Sequence, residues 1–215
     1  MIEFGGFLAM QSIDDAVEYA QLTENLGFDA LWGIDSQQLY TELYVSLTAC
    51  AHATEEIELL PGITNPVSRH PSVTASAIAA LDQVSDGRAG LGIGAGDSAV
   101  YSVGKAPATL AELHETATTI QSLLEGETVT FEGEPFTLET VRRRPDVYVA
   151  AEGPKTLQMA GAVGDGVIFG GGPKPETVSE LGLENIRVGI DDAGRDFEDM
   201  KLIALAPSRV AETRA

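Results

Sequence analysis

A parallel α/β architecture is the fold class this sequence predicts, and three observations predict it. First, strand, loop, helix and strand follow one another in minimal form from Glu58 to Ser98, ELLPGITNPVSRHPSVTASAIAALDQVSDGRAGLGIGAGDS. Leu59 and Leu60 run into the turn-rich Pro61–Pro66. Pro71 then opens a helix whose apolar positions Val73, Ala77, Ile78, Leu81 and Val84 recur at helical spacing, and Asp86-Gly87 ends it before the buried strand Ala89–Ile93. Second, both strands finish in glycine-containing loops on one side of the sheet, where parallel α/β proteins bind ligands. Third, 44% apolar residues with only 6% aromatic, and no compositional break over 215 residues, suit one layered domain, residues 1–215.

The first strand is Ile2–Leu8, with Gly5-Gly6 inside it. Ser12 is a good N-cap for the next helix, and Asp14 and Asp15 occupy the first turn, where the helix dipole favours them. Val17, Ala20, Leu22 and Leu26 give that helix an inner face, and Gly27 ends it. Phe28–Ile34 is strand two, ending in Asp35-Ser36; an Asp at such a strand tip serves either chemistry or the capping of the next loop or helix. Leu43–Ala53 is an apolar helix holding the one cysteine, Cys50, so no internal disulfide and no thiol metal site is spelled out.

Strands three and four come next. The run Gly92-Ile93-Gly94-Ala95-Gly96-Asp97 is glycine-rich but lacks the spacing of a nucleotide fingerprint. Its carboxylate is more informative: Asp97 stands just past a strand, as a catalytic acid, a polar orienter or a cap for Ser98 onward. Ser98–Ala106 reads as a loop, and Pro107 opens the helix Ala108–Leu124 with Leu110, Leu113, Ala117, Ile120 and Leu124 inward. Glu112, His114 and Glu115 fit no metal spacing. A small hairpin excursion over about residues 127–139 pairs Thr128–Phe131 with Phe136–Leu138 around Gly133. Arg142-Arg143-Arg144 precedes strand five, hence lies on the face away from the ligand-binding ends, and its expected role is to pair with nearby acids.

Strand five, Val147–Ala151, runs into Glu152-Gly153-Pro154-Lys155-Thr156. Glycine at the turn and proline at the first helical position leave backbone N–H groups free at a helix N-terminus, a ready anion site, and Glu152 faces the same mouth. Strand six, Val167–Phe169, is followed by Gly170-Gly171-Gly172, a run that admits backbone contact with a phosphate-bearing tail or serves as a flexible linker. Pro175–Ala193 reads as helix with a weak point at Gly182, Met200–Leu205 as the seventh strand, and the polar Pro207–Ala215 as holding no eighth unit.

The formal net charge is −20, with four lysines against nine arginines. Such a surface disfavours nucleic acid and anionic membrane and suits a high-salt cytoplasm, where carboxylate repulsion is screened. With no signal peptide and no apolar run long enough to span a bilayer, the expectation is a cytoplasmic protein.

The runs PGITNP, RHPSVTASAIAALDQVSDGR and GIGAGD, with the segment Tyr148–Gly172, resemble the luciferase-like flavin and deazaflavin oxidoreductases. Among those, the likeness is to the coenzyme F420-dependent methylenetetrahydromethanopterin reductases. This resemblance implies a TIM-type (β/α)8 barrel, with the cofactor at the C-terminal strand ends. Because such barrels typically take ~250 residues, it is expected here shortened to about seven strand–helix units. The cofactor implied is F420, with FMN as the alternative. The activity implied is hydride transfer between the deazaflavin and a small organic substrate, a methylene-pterin being the candidate. The resemblance places the cofactor against Gly62, Ile63, Thr64, Asn65, Gly94, Asp97, Ala151, Gly153, Gly170 and Gly171, with a non-prolyl cis peptide at Gly62–Ile63. Asp97, Asp35 and Glu152 are its catalytic candidates, and no metal is implied. Two positions depart from the family pattern: Ser36 stands where related enzymes commonly carry a histidine, and Phe7 where some carry a carboxylate. An FMN-dependent monooxygenase and a shortened barrel that binds flavin without turnover are the alternative activities. Relatives are often oligomeric, so a homodimer is the expected assembly.

Overall fold

A computed structural model describes residues 2–206 of the chain, so the expectation for Pro207–Ala215 lies outside the described residues. Seven parallel strands form one arc in chain order: β1 (Gly5–Leu8), β2 (Ala30–Gly33), β3 (Glu58–Pro61), β4 (Leu91–Ile93), β7 (Val147–Ala151), β8 (Gly166–Phe169) and β9 (Lys201–Ala204). The remaining two, β5 (Thr128–Phe131) and β6 (Glu134–Thr137), make the antiparallel hairpin. The helices are α1 (Ile13–Asn25), α2 (Leu43–Ala53), α3 (Pro71–Val84), α4 (Ser98–Tyr101), α5 (Leu110–Leu124), α6 (Pro154–Val163) and α7 (Glu184–Asp192). Register advances in step along the arc, with Gly5 opposite Ala30, Ala30 opposite Glu58, Leu91 opposite Val147 and Gly166 opposite Lys201. The expected TIM-barrel-type fold is present. Among the described residues the barrel is not closed: β1 and β9 each have one strand neighbour. Lys201 reaches across that gap to Glu3 at 2.7 Å and to Glu58 at 3.5 Å.

Alternation along the strands separates two apolar layers. Leu8, Leu31, Leu59, Leu91, Val147, Val149 and Val167 face the helices. Ala30, Trp32, Leu60, Tyr148 and Ile168 fill the lumen, with Ile63, Ala150 and Ile203 against them. Outside the barrel, Arg88 ties the end of α2 to β3. Its guanidinium donates to the carbonyls of Ala51, Thr54, Ile57 and Ser85 at 2.8–3.0 Å.

Several expectations need correction. The inner face of α1 is Ala16, Ala20 and Thr23; Leu22 and Leu26 are exposed, because α1 packs on α2 with its small residues. Val73, Val84 and Leu110 likewise point outward. Ser98–Ala106 is not wholly loop, since α4 forms there with Asp97 as its cap. The helix after it starts at Leu110, two residues later than expected. Thr109 and Glu112 form a reciprocal capping box that fixes that start. The helix after β8 begins as a π-helix, Thr177–Leu183, and becomes regular only at Glu184. Arg143 pairs with the buried Asp82 at 2.6 Å, and Arg144 with Glu125 and Asp165, as expected for that run.

Candidate functional site

The C-terminal ends of the seven strands surround one mouth, and the third end is irregular. Leu59 bridges to Ala89 and Thr64 to Ile93, so the third strand uses one residue more than the fourth between the same two rungs. That is a one-residue bulge, and the Gly62–Ile63 peptide inside it is cis, where the family resemblance placed it. Both residues face the lumen. Gly62 lies against Trp32 and Phe7; a Cβ there would fall 2.7 Å from Trp32 Cβ. Ile63 covers the glycine-lined inner face of β4, with its Cδ1 occupying the space that a Gly94 side chain would need and Ala150 beside it.

Beyond the bulge, Thr64 turns away from the lumen. Its N–H donates to Gly92 O and its carbonyl accepts from Gly94 N, both at 3.0 Å, and its hydroxyl donates to Asp35 Oδ2 at 2.6 Å. Asp35, with a side chain only 6% exposed, therefore supports loop three rather than standing open to solvent. Asn65 is buried, and its Oδ1 accepts from Val67 N and Ser68 N at 3.0 and 2.9 Å. Those bonds fix the amide, and among the described residues its Nδ2 donates to no protein acceptor. The loops after β2 and β4 are latched above this floor. Ser36 Oγ and Ser98 Oγ are 3.0 Å apart, and Gln37 Nε2 donates to Ala99 O at 2.8 Å.

Asp97 is exposed past the end of β4 and accepts from Ser98 N as the cap of α4, the capping role among those expected of it. On the β7–β8 side, Glu152 is exposed and its carboxylate overlies Gly170. Gly153 caps α6 without any side-chain hydrogen bond, and Pro154 follows it at the first helical position. Ala151 is buried beneath, and Gly171 sits over the Phe169 ring. The sequence-predicted residues thus gather at the strand ends, with Asp35, Thr64 and Ala151 buried there rather than open to the mouth. Asp35, Gly62–Asn65, Gly94 and Asp97 form one group, Ala151–Gly153 and Gly170–Gly171 a second, and Ile63 and Ala150 meet between them. No metal-binding cluster of His, Cys, Asp or Glu exists among the described residues.

Sequence reasoning missed a polar cluster beneath loop three. Arg69 Nε lies 3.7 Å from Asp35 Oδ2, its terminal group pairs with Glu42, and its guanidinium sits 4.6 Å from the centre of the Tyr44 ring. Its members are far apart in sequence, and Tyr44 reads there as one more residue of an apolar helix. The neighbouring His70 serves α3 instead: its Nδ1 accepts from Ser72 N as the cap of that helix, and its ring meets Phe131 edge-on at 5.0 Å.

Comparison with known proteins agrees with this geometry. The profile described as luciferase-like monooxygenase matches residues 2–215. The chain belongs to that family. A 5,10-methylenetetrahydromethanopterin reductase of Archaeoglobus fulgidus is 36% identical over 203 residues, covering 91% of this chain and 60% of the relative. An F420-dependent glucose-6-phosphate dehydrogenase of Beutenbergia cavernae is 33% identical over 212 residues, covering 88% and 62%. Among solved structures, the coenzyme F420-dependent tetrahydromethanopterin reductase of Methanopyrus kandleri superposes with a TM-score of 0.79 at 27% identity, covering 94% of this chain and 65% of that one. This luciferase-like chain therefore spans about 60% of the length of the curated relatives it matches.

Proposed function

We propose that this chain binds coenzyme F420 and moves a hydride between it and a small organic substrate, a one-carbon-carrying pterin being the first candidate. One observation carries the reading. At the ends of β3 and β4, Gly62 and Ile63 face the lumen together and lie across Gly92 and Gly94 beside the buried amide of Asn65. A planar heteroaromatic ring asks for such a wall: apolar support over its face and one fixed donor for a ring carbonyl or nitrogen. The residues present fit that group. Family membership and the F420-dependent relatives support the choice of cofactor.

When bound, F420 supplies the two-electron hydride carrier, and the protein supplies orientation, exclusion of water and electrostatics. Ile63 and Ala150 form the apolar wall, and Asn65 Nδ2 donates to the ring edge. Asp97 is the carboxylate at the mouth that gives or takes a proton, and Glu152 stands across from it toward the substrate. The uncapped N-terminus of α6 at Gly153 and the Gly170–Gly171 backbone receive the anionic tail, where the helix dipole favours negative charge. Lys155 and Lys174, two of the four lysines in so acidic a chain, belong to these same two segments.

The experiment is a fluorescence titration with F420 and, separately, FMN in molar potassium chloride, followed by turnover with a methylene-pterin. Micromolar binding of F420 with FMN ignored, and turnover, is the expected result. Binding of FMN alone would move the protein to the flavin branch. Binding without turnover on any substrate would favour a cofactor-binding protein without catalysis.

A further inference from the structure

We propose that Arg69 is a positioning residue for the cofactor cradle, acting through Asp35 and Thr64, an inference that rests on reading the mouth as an F420 site. Four segments contribute to the arrangement: Asp35 from the end of β2, Glu42 and Tyr44 from the start of α2, Thr64 from the bulge, and Arg69 from the loop before α3. Thr64 is wholly buried and Asp35 nearly so. A carboxylate there needs an opposite charge and hydrogen bonds to offset its lost hydration. Arg69 Nε, 3.7 Å away, is the one cation paired with it among the described residues, and the Thr64 hydroxyl at 2.6 Å is its hydrogen-bond donor.

The chain of dependence runs outward from there. Glu42 and the Tyr44 ring hold the Arg69 guanidinium on opposite counts, one by charge and the other by stacking. Burial alone would push the Arg69 pKa down, but Asp35 and Glu42 outweigh it and raise it, so the group stays cationic. Arg69 sets its charge beside Asp35 Oδ2, and Asp35 accepts the Thr64 hydroxyl, which fixes the Thr64 side chain away from the lumen. Thr64 is then tied to Gly92 and Gly94 by its backbone, which leaves Ile63 on the lumen side and sets Asn65 next to it. The Tyr44 hydroxyl marks the tension in this cluster. It is buried with no hydrogen-bond partner among the described residues, beside the Asp35–Thr64 pair and the Arg69 guanidinium. On this account Asp35 Oδ2 takes both the Thr64 hydroxyl and the Arg69 charge, and the work of this buried carboxylate is to hold the cradle.

The test uses the sole tryptophan, Trp32, which lies directly beneath Gly62 and reports on occupancy of the cradle through its fluorescence. Dissociation constants for F420 and urea unfolding midpoints are measured for the unmodified protein, Arg69→Met, Arg69→Lys, Thr64→Val, Thr64→Ser and the Arg69→Met/Thr64→Val pair. The expected result is a loss of roughly tenfold or more in F420 affinity for Arg69→Met and for Thr64→Val. Arg69→Lys and Thr64→Ser recover part of it, and the pair is no worse than either single change, because both break one chain of contacts. Arg69→Met that lowers the unfolding midpoint but binds F420 as tightly as the unmodified protein would overturn the inference, as would losses that simply multiply in the pair. If Arg69→Met does not fold, Arg69→Lys against Thr64→Ser decides the matter by the same comparison. Failure of the unmodified protein to bind F420 removes the reading of the site, and the inference falls with it; binding by the unmodified protein with all variants equal removes the inference alone.

Discussion

Substituting Gly94 with alanine perturbs the cradle at its tightest point. A Cβ built there falls less than 3.0 Å from Ile63 Cδ1 and 3.2 Å from Ala150 Cβ, while Ile63 Cγ1 is at an ordinary 3.7 Å. Carbon atoms pack at ~3.5–4.0 Å, so the Ile63 tip must retreat by roughly 1 Å. Overpacking of this kind costs about 1–3 kcal/mol, and the displaced tip is the apolar wall itself. Gly94→Ala is therefore expected to lower the urea midpoint and to weaken F420 binding by about tenfold. Ile63→Val removes only Cδ1, the atom in the way, at a cost of about 0.5–1.5 kcal/mol. In the double variant the new methyl takes the vacated space. The two changes should then couple favourably by about 1–2 kcal/mol. Unfolding followed by Trp32 fluorescence measures all four corners of the cycle. Strict additivity would refute the packing argument, because it would mean that Ile63 does not lie over Gly94.

Four further outcomes are expected. Arg88→Met removes donors from four carbonyls, and at a net ~0.5–1.5 kcal/mol per bond it should cost about 2–6 kcal/mol, or roughly 5–25 °C in Tm for a chain of this size. Arg142→Met, at an exposed position, should change Tm little. Burial pushes the Glu24 carboxyl up, but backbone N–H donors from Glu55, Glu56 and Ile57, with Arg88 nearby, outweigh it and hold the pKa below the usual carboxylate range. A depressed folded pKa stabilises above the unfolded value and loses that contribution as pH falls through the folded one. Glu24→Gln should therefore flatten the acid limb of unfolding free energy as pH falls through and below the usual carboxylate range, and an unchanged limb would contradict the assignment. Finally, with a net charge of −20, the unfolding midpoint should rise from low to molar potassium chloride. A flat or falling midpoint would exclude the high-salt adaptation.

The strand ends were legible in the sequence because proline and glycine mark them: Pro61-Gly62, Gly94, Gly153 and Gly170 all fall at the mouth. The N-caps at Ser12 and the proline start of α3 were equally plain, being local chemistry. Helix phase was less so. Large residues suggested Leu22, Leu26 and Val73 as inward, whereas α1 and α3 approach their neighbours with Ala16, Ala20, Thr74 and Ala75. The short helix α4 was hidden because its cap, Asp97, reads equally well as a loop carboxylate. The Arg69 cluster was invisible for a different reason. It is held by hydrogen bonds and charge between segments that hydrophobic periodicity does not connect.

The single additional residue between Leu59 and Thr64 has an implication for how this segment can vary. Strand side chains alternate, so a change of one in length inverts every position beyond it. Deleting one residue at the bulge would send the Thr64 hydroxyl into the lumen and leave Asp35 and Arg69 facing an empty position. No amino-acid exchange at Gly62 or Ile63 could produce the same inversion. Libraries that vary identity at fixed length will therefore tune this wall, whereas insertions or deletions will exchange it for a different one.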